Sequence, residues 1–258
     1  MVLTDKVVFV TGAGRGMGRG IAEALAEAGA HVAVADLALE TVAETADLIE
    51  RHGRRALPLA LDVRDRSLIE AAVARTVETF GQIDGFVNNA GIVQMDAALD
   101  VQPDDWDAHM QINLGAVFAC CQIAARQMIA QGSGGAIVNI ASNAGKVGYR
   151  NMAAYNASKA GVINLTRSLS TEWAEHKINV NAVCPGGVDT PMLLNVAEWI
   201  TARTGGDPHE LVAQMKPQQM DRRIQPIEVG RVVAFLLSDH AAIIRGQSIN
   251  VDGGDTPY

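Results

Sequence analysis

The chain switches repeatedly between short runs of β-branched and other apolar residues and longer stretches of helical periodicity, and that alternation constrains its fold more than any other feature. Seven runs read as strands, at 7–11, 31–36, 56–62, 85–88, 136–142, 179–184 and 248–251. Helical patterns occupy the intervals near 17–28, 39–52, 67–80, 103–131, 152–176 and 227–238. Such repetition predicts parallel strands joined by crossover helices. Runs such as VVFV and HVAVAD are apolar on both faces, so helices must cover the sheet above and below. The expectation is a single α/β domain over 1–258, a doubly wound parallel sheet of about seven strands, with ligands bound beyond the carboxyl ends of the strands. One stretch breaks the rhythm. Residues 190–226 hold four of the eight prolines, three methionines and the run GGDP, and read either as a substrate lid or as an irregular surface excursion.

Composition narrows the function classes. A hydrophobic fraction of 48% and a charged fraction of 19% are those of a globular chain, and a net charge of −8 without a basic cluster argues against nucleic acid or an anionic membrane as partner. Cys120, Cys121 and Cys184 lack the spacing of a zinc or redox motif, the six histidines lack metal-ligand spacing, and no metal is expected. The opening MVLTDKVVFV leaves no room for a signal peptide, and the uncharged stretch 127–145 carries too many glycines and amides for a membrane span. The cytoplasm is the expected location.

Directly after the first strand comes TGAGRGMGRG, 11–20. A strict G-x-G-x-x-G fits in no frame, but Gly12, Gly16 and Gly18 fit a G-x-x-x-G-x-G variant, and so do Gly14, Gly18 and Gly20. The first frame places the turn and helix start where a pyrophosphate would meet backbone amides. The second strand ends at Asp36, 36 − 18 = 18 residues after the last glycine, near the roughly 20 expected for an acidic residue on the adenosine ribose. A carboxylate there accepts from both ribose hydroxyls of NAD and repels the phosphate of NADP. Arg15 pulls the other way, since its guanidinium would attract that phosphate; Asp36 outweighs it, and NAD is the expected cofactor.

Further along stand Asn88-Asn89-Ala90-Gly91, Asn113, Ser142, Tyr155-x-x-x-Lys159 and Pro185-Gly186, with Ser142 and Tyr155 separated by 155 − 142 = 13 positions. With Thr11-Gly12-x-x-x-Gly16-x-Gly18 and the terminal GQSINVDGG, they make the whole chain resemble the short-chain dehydrogenases/reductases, most of all acetoin/butanediol- and sorbitol-type members. The resemblance implies a Rossmann-like fold and an oxidoreductase in which Tyr155 exchanges a proton with the substrate oxygen as hydride moves to or from the nicotinamide. Ser142 would hydrogen-bond that oxygen, Lys159 would bind the nicotinamide ribose, and Asn113 would hold a proton-relaying water. It also implies a dinucleotide site built from Gly12, Arg15, Gly16, Met17 and Gly18, from Asp36, Asp62 and Val63, from Asn89, Ala90 and Gly91, and from Pro185, Gly186, Val188 and Thr190, with Tyr155 and Lys159 at its reactive end. Asp62 would meet the adenine amino group or cap the following helix; Asn88 to Gly91 would serve the cofactor pocket or only its sheet edge.

Residues four apart share a helical face, so Tyr155 and Lys159 project together. Poising a tyrosine of ordinary pKa about 10 near neutrality requires roughly 4 kcal/mol. One positive charge about 4 Å away at an effective dielectric of 20 supplies about that much.

Gln94, Asn143, Met152, Gly187 and Met192 are candidate pocket residues, amide and thioether groups suited to a small secondary alcohol, diol or polyol and its ketone. A 3-oxoacyl thioester reductase using NADPH is the runner-up, and a catalytically silent nucleotide-binding regulator a distant third. The helices at 103–131 and 152–176 are apolar around more of their girth than one sheet contact needs, as INLGAVFACCQIAA shows, and the resemblance implies a homotetramer with these helices at an interface.

Overall fold

A computed structural model of the chain describes residues 2–257. Its strands are β1 (Val7–Thr11), β2 (His31–Asp36), β3 (Ala56–Ala60), β4 (Gly85–Asn88), β5 (Gly135–Ile140), β6 (Ile178–Pro185) and β7 (Ser248–Val251). They form one sheet in the order β3-β2-β1-β4-β5-β6-β7, every neighbouring pair parallel. The helices are α1 (Gly16–Glu27), α2 (Leu39–Arg51), α3 (Arg66–Phe80), α4 (Pro103–Met110), α5 (Ala116–Gln131), α6 (Ala153–Glu172), α7 (Pro191–Thr204), α8 (Pro208–Gln214) and α9 (Pro226–Leu236).

Period-two alternation in the strands sorts the core into two layers. Val8 and Val10 of β1 pack with Ile21 and Leu25 of α1, Val42 and Ile49 of α2, and Val229 and Val233 of α9. Phe9, between them, faces the other side with Ile69 of α3, Cys120 of α5 and Val162 of α6, and stacks on Phe86 of β4 with ring centroids 4.8 Å apart. The strand order reverses direction between β1 and β4, so a crevice opens at their carboxyl ends, the place where such sheets bind ligands.

Three expectations need correction. The third strand ends at Ala60: Leu61 makes the last ladder bond, to the Asp36 carbonyl, and Asp62 and Val63 peel away toward the crevice. The helix expected across 103–131 is interrupted by a π-turn at Gln111–Gly115. This stretch is apolar and long enough on composition to cross a membrane, yet half of its most apolar 18 residues are buried inside the fold. Residues 190–226 are largely helical, not irregular. Thr190 caps α7, whose second residue is Met192; Gly205 (φ 81°) closes it, and Asp207 caps α8 by accepting from the His209 and Glu210 amides, with Pro208 at the first helical position. The GGDP run is helix punctuation.

Candidate active site

The glycine turn is shaped by close approach. Gly12 has φ 63°, a region that L side chains rarely adopt, and a Cβ there would lie 2.7 Å from the Ala90 Cα. A Cβ on Gly18 would overlap the Gly12 carbonyl oxygen. Asn89 holds the turn from β4, its side-chain amide donating to the Thr11 and Gly12 carbonyls at 3.0 and 2.9 Å. The Thr11 hydroxyl in return accepts from the Asn89 and Ala90 amides. From α1, Arg19 donates to the Gly14 carbonyl at 2.6 Å, and from α2 the Thr45 hydroxyl donates to the Ala13 carbonyl at 2.8 Å. Neither residue carries a signal in the sequence, because both act on backbone carbonyls, which show no residue type. Arg15, at the N-cap of α1, is exposed and makes no side-chain cap, so the first-turn amides of the helix remain open to an anion.

A groove of about 480 Å³ runs from this turn along the strand ends, lined by Gly12, Arg15, Gly16, Met17 and Gly18, by Asp36, Asp62 and Val63, and by Asn89, Ala90 and Gly91, with Thr190 and Met192 on its far wall. Asp36 sits at the end of β2, where its carboxylate accepts from the Gly14 and Leu37 amides at 2.9 and 2.8 Å. Asp62 is committed to Arg64, a residue unremarked in the sequence, which binds both carboxylate oxygens and holds that carboxyl below the usual range. Asn88 does serve the sheet, donating to Asn139 on the neighbouring strand at 2.8 Å, whereas Asn89 to Gly91 belong to the groove. Pro185 ends β6, a Cβ on Gly186 would meet Asp252, and Val188 is buried. A nicotinamide dinucleotide fits this arrangement, because the glycines let the turn pack tightly against the start of the loop after β4, the first-turn amides of α1 have no side-chain cap, and the Asp36 carboxylate lines the same groove.

Beside the part of the groove lined by Gly91 stand Ser142, Tyr155 and Lys159. Ser142 leaves β5 in extended conformation and accepts from the Ala144 amide at 3.1 Å, which closes a short 3₁₀ turn and holds the hydroxyl still. Tyr155 lies in the first turn of α6, with the Ser142 hydroxyl near its phenol. Lys159 is 4% exposed. Its Nζ donates to the Ile140 carbonyl at 2.9 Å and lies 5.7 Å from the Tyr155 ring centre. A Cβ on Gly91 would sit 3.5 Å from that Nζ, so the lysine abuts the groove.

Burial, omitted from the simple Coulomb argument, dominates both titrations. It pushes the Tyr155 phenol above its ordinary value, with the neighbouring Ser142 hydroxyl pulling the other way. It also brings Lys159 down to about 8. In the chain by itself the lysine therefore does not bring the tyrosine to neutrality, contrary to the estimate from charge alone.

Asn113 is fully buried in the π-turn, its side chain engaged three times: it accepts from the Ile92 amide at 2.8 Å and donates to the Ile92 carbonyl and the Ser158 hydroxyl. Both amide hydrogens are thus used in structure, which is the reason for the π-turn and leaves little of the side chain for a relaying water. The candidate pocket residues do not all converge. Asn143 is buried and donates to the Tyr149 hydroxyl at 2.9 Å, bringing in a phenol that sequence reasoning missed. Met192 lines the groove, and Gly187 faces the Met215 carbonyl. Met152 precedes α6, and Gln94 lines a separate crevice with Met95, Asp96 and Asn151. Cys120 and Cys184, buried and free, have thiols pushed up to about 12 and about 11 by burial, which makes them packing residues.

Residues 6–201 match the short chain dehydrogenase family. The chain is 40% identical over 254 residues to the cis-4-hydroxycyclohexanecarboxylate dehydrogenase of Sinomonas cyclohexanicum, covering 98% of this chain and 97% of that one. Carveol dehydrogenase from Mycobacterium avium, solved in complex with NAD, superposes with a TM-score of 0.91 at 32% identity over 98% of each chain. An actinorhodin polyketide ketoreductase solved with NADPH superposes with a TM-score of 0.93 at 36% identity, again over 98% of each. Likeness to dehydrogenases along almost the whole chain, together with a serine, tyrosine and lysine gathered at the end of a dinucleotide groove, makes this protein a member of the short-chain dehydrogenase/reductase family, an oxidoreductase that works with a nicotinamide cofactor.

Proposed function

We propose that the protein interconverts a small secondary alcohol and its ketone with NAD(H). The observation that carries this reading is the gathering of Ser142, Tyr155 and buried Lys159 beside the groove, with the Lys159 Nζ 5.7 Å from the Tyr155 ring centre. A bound nicotinamide supplies the hydride acceptor or donor. Ser142 orients the substrate oxygen, and Tyr155 takes its proton in oxidation and returns it in reduction. Its phenol is brought down from the value it has in the chain by itself by the positive charge that a bound oxidised nicotinamide would add to that of Lys159. Lys159 meets the ribose hydroxyls and lends positive charge when protonated, and Gly12, Gly16, Gly18 and Asp36 hold the dinucleotide. Asp36 favours NAD, because a second anion at the ribose is repelled.

Two relatives act on ring alcohols by their names, and the Tyr149, Asn143 and Met192 surroundings combine hydrogen-bonding and apolar surface in the way such a substrate needs. Cyclic secondary alcohols and diols therefore lead the candidates, ahead of open-chain polyols. The test is a panel of cyclohexanol, cyclohexanediols, butanediol and sorbitol with NAD or NADP, followed at the cofactor's absorbance, with acetoacetyl thioester and NADPH as the contrasting arm. Turnover of the thioester alone would replace this reading with a 3-oxoacyl reductase, and no turnover of any member would favour a silent nucleotide binder.

Three companion proposals follow. Residues 190–226 act as a lid, since Thr190 and Met192 already wall the groove; slower hydrogen exchange in α7 and α8 with NADH bound tests this. A homotetramer would cover Trp106, Phe118 and Ile129, each about two-fifths exposed on α4 and α5, and sedimentation velocity reports the assembly. Reduced, buried cysteines suit the cytoplasm.

A further inference from the structure

We propose that His109 is a positioning residue for this reaction: with Asn113 it clamps the loop that follows β4, and through its ring it sets the seat of Tyr155. The proposal rests on Tyr155 as the proton-transfer group.

His109 is 1% exposed near the end of α4. Its Nδ1 lies 2.7 Å from the Asp105 carbonyl oxygen, which can only accept, so Nδ1 carries the hydrogen. Nε2 is then a lone-pair acceptor, and it receives the Gln94 amide at 3.1 Å. Four residues on, Asn113 accepts from the Ile92 amide. Two side chains one helical turn apart thus hold alternate amides of one extended loop. On the other side, the His109 ring meets the Tyr155 ring edge to face, centres 6.4 Å apart at 80°.

The loop joins the two halves of the site. Gly91, Ile92 and Val93 wall the dinucleotide groove, and Asp96 donates its amide to the Asn151 carbonyl, just before the first turn of α6 that carries Tyr155. An aliphatic side chain at 109 could pack against the phenol ring but could not accept from Gln94. A histidine with its proton fixed on Nδ1 does both. Asn113 still anchors Ile92 when His109 is changed, so the effect falls on the substrate side of the loop and spares the dinucleotide side.

The test compares His109→Leu, which removes the acceptor, with His109→Gln, which offers an amide oxygen in its place. Gln94 amide exchange is read by NMR, NADH affinity by fluorescence, and kcat and KM from cyclohexanol oxidation with NAD. In His109→Leu, the Gln94 amide exchanges faster, kcat falls about 10- to 100-fold with a rise in KM, and NADH affinity stays within about twofold, as expected when reacting groups shift by a fraction of an ångström to one ångström. His109→Gln recovers most of the protection and of kcat. If the leucine variant does not fold, His109→Phe, which keeps the ring and lacks the acceptor, carries the same expectation. Unchanged exchange, or faster exchange with wild-type kcat and KM, overturns the proposal, as does a glutamine variant no better than leucine. Tyr155→Phe runs alongside: full activity there defeats the underlying reading of the site, whereas a dead Tyr155→Phe beside a normal His109→Leu defeats only the role of His109.

Discussion

Replacing Lys159 with methionine removes a buried cation and should stabilise the protein while silencing it. Lys159 is 4% exposed, and burial lowers its pKa from 10.5 to about 8. Below pH 8 the lysine is charged in both folded and unfolded chains, and the fold bears the whole difference as a destabilisation. Between pH 8 and 10.5 the folded chain holds it neutral while the unfolded chain still binds the proton, so this group's contribution to stability rises with pH and its penalty vanishes above 10.5. The gap between 10.5 and about 8, at about 1.36 kcal/mol per pH unit, corresponds to ~3 kcal/mol. Methionine escapes that penalty but leaves the Ile140 carbonyl without its 2.9 Å donor, a loss of about 1–2 kcal/mol. The variant should therefore be about 1–2 kcal/mol more stable than wild type at pH 7, and the advantage should fall by about 3 kcal/mol and reverse by pH 10.5. Urea denaturation of both proteins at half-unit intervals from pH 7 to 10.5 measures the difference, with other titrating groups cancelling between them. A stability difference that stays flat across this range would refute the reasoning, because it would mean that Lys159 titrates alike in the folded and unfolded chains.

Tyr155→Phe should lower kcat by about 10²–10⁴-fold while NADH titration shows near-wild-type affinity, since the phenol moves a proton and does not carry the dinucleotide. Asp36→Ser should shift the ratio of catalytic efficiencies from NAD toward NADP by about 1–3 kcal/mol, or about 5- to 150-fold, as steady-state kinetics with both cofactors will show. Because the Asp36 carboxylate also accepts from the Gly14 and Leu37 amides, the same variant should lose about 1 kcal/mol of stability by urea unfolding. Gly18→Ala should weaken NADH binding at least about tenfold, since its Cβ must displace the Gly12 carbonyl and the Asn89 amide; wild-type affinity would show that the turn yields without cost.

Much of this protein is determined locally. Alternation of strand and helix patterns is a property of neighbouring residues, so β1, β2, β4 and β7 have the bounds their side chains predict, and the doubly wound sheet follows. Ser142, Tyr155 and Lys159 were legible as a group because their fixed spacings, just past one strand and along one helix face, are those that carry the resemblance to the family. Other features depend on partners far along the chain. The π-turn exists because Asn113 reaches the backbone of Ile92, 21 residues away, and no periodicity within 103–131 encodes that bond. Thr45 of α2 secures the glycine turn through the Ala13 carbonyl, 32 residues away, and a backbone carbonyl shows no residue type to a reader of the sequence. His109 looks like any histidine until α4 sets it between Gln94 and Tyr155. The protonation of Lys159 is the sharpest case: spacing places its ammonium beside a phenol, but only the tertiary structure decides how much water each loses, and that desolvation outweighs the attraction between them.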